Sequence, residues 1–279
     1  MVVLSTCQVG KHLLSLAYIS LETADPIEHI EAAAHAGFDA VGLRALKPTG
    51  GVLALSLLEE PGRVAEILST LSDTGVSVLD LEVLTLTPDF DVAATSSFMD
   101  LASRLCAREV QVACEDPDLD RAADRLALLS EAAASRDLGT ALEFMAFRAV
   151  DTLETALRVV SRGKARVLID ALHLIRSGGT VEALAAAPAE RIAFFQLCDA
   201  PRTLAGDDLV EEARFNRLYP GEGGLPLGAM ISTIPASLPI SVEVPRKSMR
   251  GRSPSEQATA AMEWTKKSLQ YSVRSRYIS

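Results

Sequence analysis

The chain has 279 residues, 48% of them hydrophobic and only 5% aromatic, which suits one large α/β domain or two small ones. Its formal net charge of -10 disfavours nucleic acid and anionic membrane as partners, since phosphate and acidic lipid repel such a surface and no basic patch of useful size interrupts the sequence. The four cysteines, Cys7, Cys106, Cys114 and Cys198, lack CxxC spacing and read as buried thiols of a cytoplasmic protein, not as a disulfide framework.

The opening MVVLSTCQVGKHLLSLAYIS is mildly apolar, but Lys11 and His12 interrupt it and no cleavage pattern follows. A signal peptide is therefore not expected, and no run is long enough to span a bilayer. From residue 13 onward, short leucine-rich or β-branched runs alternate with Ala-rich amphipathic stretches, as parallel βα units require. LLSLAYISL (13–21) is the first predicted strand, and Asp25-Pro26 opens a helix as N-cap and N1 residue, which Gly37 ends. AVGLRA (40–45) is the second strand, followed by a long loop rich in Gly and Pro and a helix over 61–75. The third strand is VSVLDLEVLTL (76–86) with a helix over 98–108, and the fourth is EVQVACEDP (109–117) with a helix over 120–139.

The second half repeats the pattern. TALEFMAF (140–147) precedes a helix over 151–163, RVLIDALHL begins at 166 before a helix over 180–190, and IAFFQLCDAP (192–201) leads into a polar loop. A helix over 226–238, the strand PISVEVP (239–245) and a last helix over 255–272 close the series. Eight strands and eight helices at even spacing fit a (β/α)8 TIM barrel forming a single domain over 1–279. The runner-up is a doubly wound open sheet; no GxGxxG or GxxxxGK[ST] supports a nucleotide-binding version of it.

In a barrel, polar residues late in a strand reach the C-terminal mouth. Strands five to eight place Glu143, Asp170, Gln196 and Glu243 there, one oxygen-bearing side chain each within apolar runs. Three buried carboxylates repel and cost several kcal/mol unless paired or bound to a cation. An all-oxygen set of three carboxylates and an amide favours Mn²⁺ or Mg²⁺, with Co²⁺ also suited. The alternative is pairing with Lys or Arg across the rim. Glu82 on strand three and Glu115 on strand four share inward parity and either orient a metal-bound water or substrate hydroxyl, or pair with Arg44, Arg246 or Lys247. Asp199 has the wrong parity for the interior and reads as a loop cap. Asp170 and His173, three apart, can share a site only if the strand ends near Ala171 and the chain turns. The bland alternative is that Asp170 caps that turn and His173 lies on the surface. In RLYPGEGG, Pro220, Gly221 and Gly223 form a tight loop able to bring N–H groups to a ligand, and Arg217 can grip a carboxylate or phosphate.

At these residues, LEFM at Glu143, LIDALHLIRSGG at Asp170 and His173, FFQLCDAP at Gln196, RLYPGEGGLPL at 217–227 and ISVEVP at Glu243, the chain resembles the xylose isomerase-like barrels that include sugar-phosphate isomerases and epimerases. The resemblance implies Glu143, Asp170 and Glu243 as metal ligands and His173 and Arg217 as substrate contacts. Many members carry His where this chain has Gln196; Gln resembles the branch of bacterial 3-dehydroshikimate dehydratases, where the amide oxygen binds the metal. The DNA-repair endonucleases of this fold use several histidines, and four His in all, two of them in the first helix, set that reading aside.

The expectation is a metal-dependent isomerase or epimerase of a small polyhydroxylated carbonyl compound. Glu143 or Glu243 takes a proton to give an enediolate, and dehydration with His173 as acid is second. A third reading is a non-catalytic ligand-binding barrel. A homodimer is compatible with the Ala-rich helices and acidic surface.

Overall fold

A computed structural model describes residues 12–21, 23–45, 61–204, 206 and 208–275. Cys7 and the Gly- and Pro-rich stretch after the second strand lie outside the described residues. The strands are β1 (Leu14–Leu16), β2 (Ala40–Arg44), β3 (Ser77–Leu86), β4 (Glu109–Cys114), β5 (Gly139–Glu143), β6 (Arg166–Asp170), β7 (Ile192–Leu197) and β8 (Ile240–Val242). Each pairs in parallel with the next, and β8 returns to β1, so the sheet closes into a barrel. Closure leaves no sheet edge and directs alternate side chains inward.

Around the barrel run α1 (Pro26–Ala36), α2 (Pro61–Thr74), α3 (Ser96–Arg104), α4 (Leu119–Ala134), α5 (Leu153–Val160), α6 (Ala171–Arg176), α7 (Val181–Ala186), α8 (Leu209–Phe215), α9 (Leu227–Thr233) and α10 (Pro254–Ser275). Their starts follow local chemistry. Asp25 accepts from the Ile27 N–H while Glu28 reaches back to the Asp25 N–H, Pro26 fills the first turn, and Gly37 ends α1 at φ 86°. In α5 the buried residues are Leu153, Ala156, Val159 and Val160, the three-to-four spacing of one helix face. Packing of such faces on the outer surface of the strands makes the larger apolar core.

A smaller apolar cluster includes Ala141, Leu168 and Phe194. Each stands two residues before Glu143, Asp170 or Gln196, so the cluster is the floor of the interior whose rim those polar groups form.

Three expectations change. Most strands are shorter than their apolar runs, because residues beyond the ladder such as Phe144, Cys198 and Val244 are buried by mouth loops instead. The expected polar loop after β7 contains α8, which Asp208 caps. Cys106 is exposed, whereas Cys114 and Cys198 are buried free thiols. Among the described residues no helix is long and apolar enough to cross a membrane.

Candidate metal centre

Glu143 ends β5, Asp170 ends β6, Gln196 is the penultimate residue of β7 and Glu243 directly follows β8. All four are buried, with relative exposures of 4%, 0%, 1% and 5%. One oxygen from each of the three carboxylates can be chosen so that all lie within 4.8 Å of one another.

β6 stops at Asp170 and α6 starts at once, which removes the parity difficulty between Asp170 and His173. Asp170 caps α6 by accepting the His173 N–H at 2.9 Å, so the capping half of the bland alternative holds, while His173 is buried and not on the surface. The turn buries His173 with its Nε2 at 3.7 Å from Glu143 Oε1. Burial foremost, with help from Arg217 and Arg148 against the pull of Asp170, lowers the His173 pKa to about 4, so the ring is neutral.

Hydrogen bonds orient the ring of acids. Gln111 Nε2 on β4 donates to Glu143 Oε2 at 2.7 Å, and Gln196 Nε2 donates to Glu243 Oε1 at 2.7 Å. Arg217 Nη1 donates to Asp170 Oδ2 at 2.5 Å, its Nη2 lies 2.7 Å from Glu243 Oε2, and its Nε donates to the Ala213 carbonyl at 2.8 Å. Arg217 therefore grips two of the chain's own carboxylates and is 3% exposed.

Electrostatics separate the three acids. Burial, then repulsion from Glu243 and Asp170, raises the Glu143 pKa well above the ordinary carboxylate range. Burial likewise pushes Glu243 up to about 8, although Arg217 opposes it. Burial also works against ionised Asp170, but Arg217 and His173 outweigh it and its pKa is lowered. Taken by themselves the three acids cannot all ionise freely, and a divalent cation resolves that conflict.

The donor set fits such a cation. Gln196 Oε1 is buried without a hydrogen-bond partner among the described residues, while its amide nitrogen is held by Glu243, so an oxygen without a partner stands on the residue next to the acids. Carboxylate oxygens that accept one hydrogen bond keep further lone pairs for a metal. Oxygen ligands without thiolate match a hard or borderline divalent ion.

The remaining expectations divide. Glu82 is buried and pairs with Arg44 at 2.7 Å, close enough to Glu243 to help raise its pKa. Glu115 is 46% exposed on its side chain and pairs with Arg148, so it does not join the ring; it follows the last residue of β4, where inward parity no longer holds. The RLYPGEGG loop does turn tightly, but Asp199 takes the Gly221, Gly223 and Leu225 N–H groups at 2.9, 3.0 and 3.0 Å, leaving none of these three for a ligand. Asp199 is thus the loop organiser that its parity indicated. Gln111 was missed, although Glu109 and Gln111 alternate with Val110 and Val112 as an inward polar stripe. Asp80 was also missed: burial first, then the charges of Glu82 and Glu243, raise its pKa well above the usual range, and Gly42 leaves it room, since a Cβ there would lie 3.0 Å from Asp80 Oδ2.

Comparison with known proteins follows this geometry. A family model described as xylose isomerase-like TIM barrel matches residues 30–268. A 3-dehydroshikimate dehydratase of Pseudomonas aeruginosa is 30% identical over 256 residues, covering 82% of this chain and 37% of that protein. One of Pseudomonas putida is 27% identical over 252 residues, with coverages of 82% and 37%. The chain thus spans little more than a third of the length of these relatives. Among solved structures, the IolI protein with a bound zinc atom superposes with a TM-score of 0.78 at 20% identity, over 92% of this chain and 98% of that one.

Proposed function

The chain belongs to the xylose isomerase-like TIM barrel family, and on that premise we propose that it is a divalent-metal-dependent lyase that dehydrates a polyhydroxylated cyclic carbonyl compound of the 3-dehydroshikimate type. The observation that carries the reading is the convergence of Glu143, Asp170 and Glu243 within 4.8 Å, with Gln196 in register beside Asp170 and its buried oxygen without a hydrogen-bond partner among the described residues. The two dehydratase relatives support the choice of reaction. Glu143, Asp170, Gln196 and Glu243 would hold Mn²⁺, Mg²⁺ or Co²⁺, and the zinc of the structural neighbour puts Zn²⁺ on the same test. When bound, the cation supplies Lewis acidity toward a carbonyl or hydroxyl oxygen.

The protein's own groups do the rest. Glu143 or Glu243 takes the proton next to the carbonyl, the freed electron pair forms the carbon–carbon double bond as the β-hydroxyl departs, and the carboxyl returns its proton to that oxygen so that water leaves. His173, neutral and anchored beside Glu143, hydrogen-bonds the departing oxygen. Arg217 holds Asp170 and Glu243 in place with its fork. The second reading is isomerisation or epimerisation, in which the proton returns to carbon. It is favoured by two carboxylates, Glu143 from β5 and Glu243 from beyond β8, that approach the ring from different strands.

Elemental analysis of protein purified without chelator, wild type beside Glu243→Gln, is expected to find near-stoichiometric metal only in the wild type. NMR in D₂O then separates the reactions. Loss of water from 3-dehydroshikimate yields an aromatic dihydroxybenzoate, whereas deuterium uptake by a ketose without water loss marks isomerase chemistry. Glu143→Ala should lower turnover by at least roughly 10²-fold, and unchanged turnover would sink the site assignment. Metal in neither protein after soaking with Mn²⁺ would instead favour a binding barrel.

A further inference from the structure

The lip of the barrel beside His173 carries a feature that the carboxylate ring does not explain. Arg148, on the loop after β5, lies with its guanidinium carbon 6.0 Å from the Phe147 ring centroid, and Phe147 stands edge-on to His173 at 5.4 Å. Since His173 Nε2 is 3.7 Å from Glu143 Oε1, a short path of contacts joins the ring to this guanidinium. The Arg148 side chain is only 22% exposed, and its Nε is buried without a hydrogen-bond partner among the described residues. Its Nη1 pairs with Glu115, a carboxylate nearly half exposed to solvent.

A second cation stands close by. Burial disfavours the charge on Arg148, and Arg214 of α8 disfavours it further by repulsion. Arg214 also lines a narrow cleft whose walls carry Arg246, Lys247 and Arg250. Arg148 does not line that cleft, where Arg246 is paired with Glu222 and Lys247 with Glu211. An unsatisfied buried donor costs about 1–3 kcal/mol. A multi-oxygen anion would compete with the solvent-facing Glu115 for this guanidinium and offer its donors more acceptor oxygens.

We propose that Arg148 is the subsite that seats an anionic group of the substrate, so that the ring receives the carbonyl end of a hydroxylated acid or phosphate ester and not of a neutral sugar. This rests on the catalytic reading above and narrows its substrate class.

The test is calorimetric titration of wild type, Arg148→Gln and Arg148→Lys, each with and without Mn²⁺, against shikimate, its neutral methyl ester, fructose 6-phosphate and fructose. Wild type should bind one anion at least about tenfold tighter than its neutral counterpart. Arg148→Gln should erase that preference without weakening the neutral ligand, and Arg148→Lys should keep part of it. Shikimate over its ester identifies a carboxylate site, and fructose 6-phosphate over fructose a phosphate site. A preference that survives Arg148→Gln, equal weakening of acid and ester, or no binding of either anion overturns the proposal. Should Arg148→Gln fail to fold, Arg148→Met is read in the same way. If Mn²⁺ is not taken up but the Arg148-dependent preference remains, the metal chemistry falls and the subsite stands. Mn²⁺ uptake with a preference indifferent to Arg148 means the reverse.

Discussion

Single residues here answer to burial before anything else. His29 on α1 is buried, with Nε2 3.2 Å from the Leu16 carbonyl, and burial lowers its pKa to about 4 although that carbonyl pulls upward. Unfolding restores the ordinary value of 6.5. Below that value the unfolded chain takes up a proton that the folded one refuses until about pH 4. Its contribution to stability is therefore complete above pH 6.5 and lost as pH falls towards 4. Urea unfolding at several pH values should show this decline, and His29→Gln should flatten it by roughly 1.4 kcal/mol per pH unit, the weight of one proton. No change of slope would mean that His29 is hydrated in the folded protein. His173 was legible as a site candidate because an apolar strand ending in Asp-x-x-His is unusual; its neutral state was not, because that depends on surroundings drawn from other strands.

At the level of elements, the loop after α8 shows how one buried acid sets a backbone. Asp199 accepts from Gly221, Gly223, Leu225 and Ala200, and an antiparallel bridge ties it to Leu218, next to Arg217. A Cβ on Gly223 would lie 2.3 Å from the Ala200 carbonyl oxygen and 2.4 Å from Asp199 Oδ1. Gly223→Ala should thus cost about 1–3 kcal/mol as an overpacking change and lower kcat by displacing Arg217. Gly62→Ala, with nothing within 4 Å of its added Cβ, should leave both nearly unchanged. Denaturation and initial rates on the two variants check this, and equal behaviour of both would refute the loop's role. The glycines and Arg217 were visible in RLYPGEGG, but the partner that consumes the loop's N–H groups was not. α8 escaped notice because seven residues that bury only Glu212 and Ala213 carry almost no periodic signal.

The whole molecule is a closed scaffold that brings mutually repelling acids together, with Arg217 gripping two of them and, on the proposed reading, a cation holding all three. Binding only to the folded state, Mn²⁺ at a thousand times its Kd should add about 4 kcal/mol of stability and raise Tm by about 8 °C. Thermal scans with Mn²⁺ and with chelator test this, and Glu243→Gln should show little difference between them. Alternation of apolar strands with amphipathic helices, eight of each at even spacing, by itself favoured the barrel over an open sheet, and the pairing of β8 with β1 decided it. Parity and position likewise determined Glu143, Asp170, Gln196 and Glu243, since a polar residue late in a buried strand has only the mouth to reach. Tertiary structure alone decided that Arg217 faces the chain's own carboxylates, that Asp199 closes the glycine loop, and that Glu115 turns out to solvent and pairs with Arg148. Those pairings join residues far apart in the chain, and their geometry follows from the loops that barrel closure brings together.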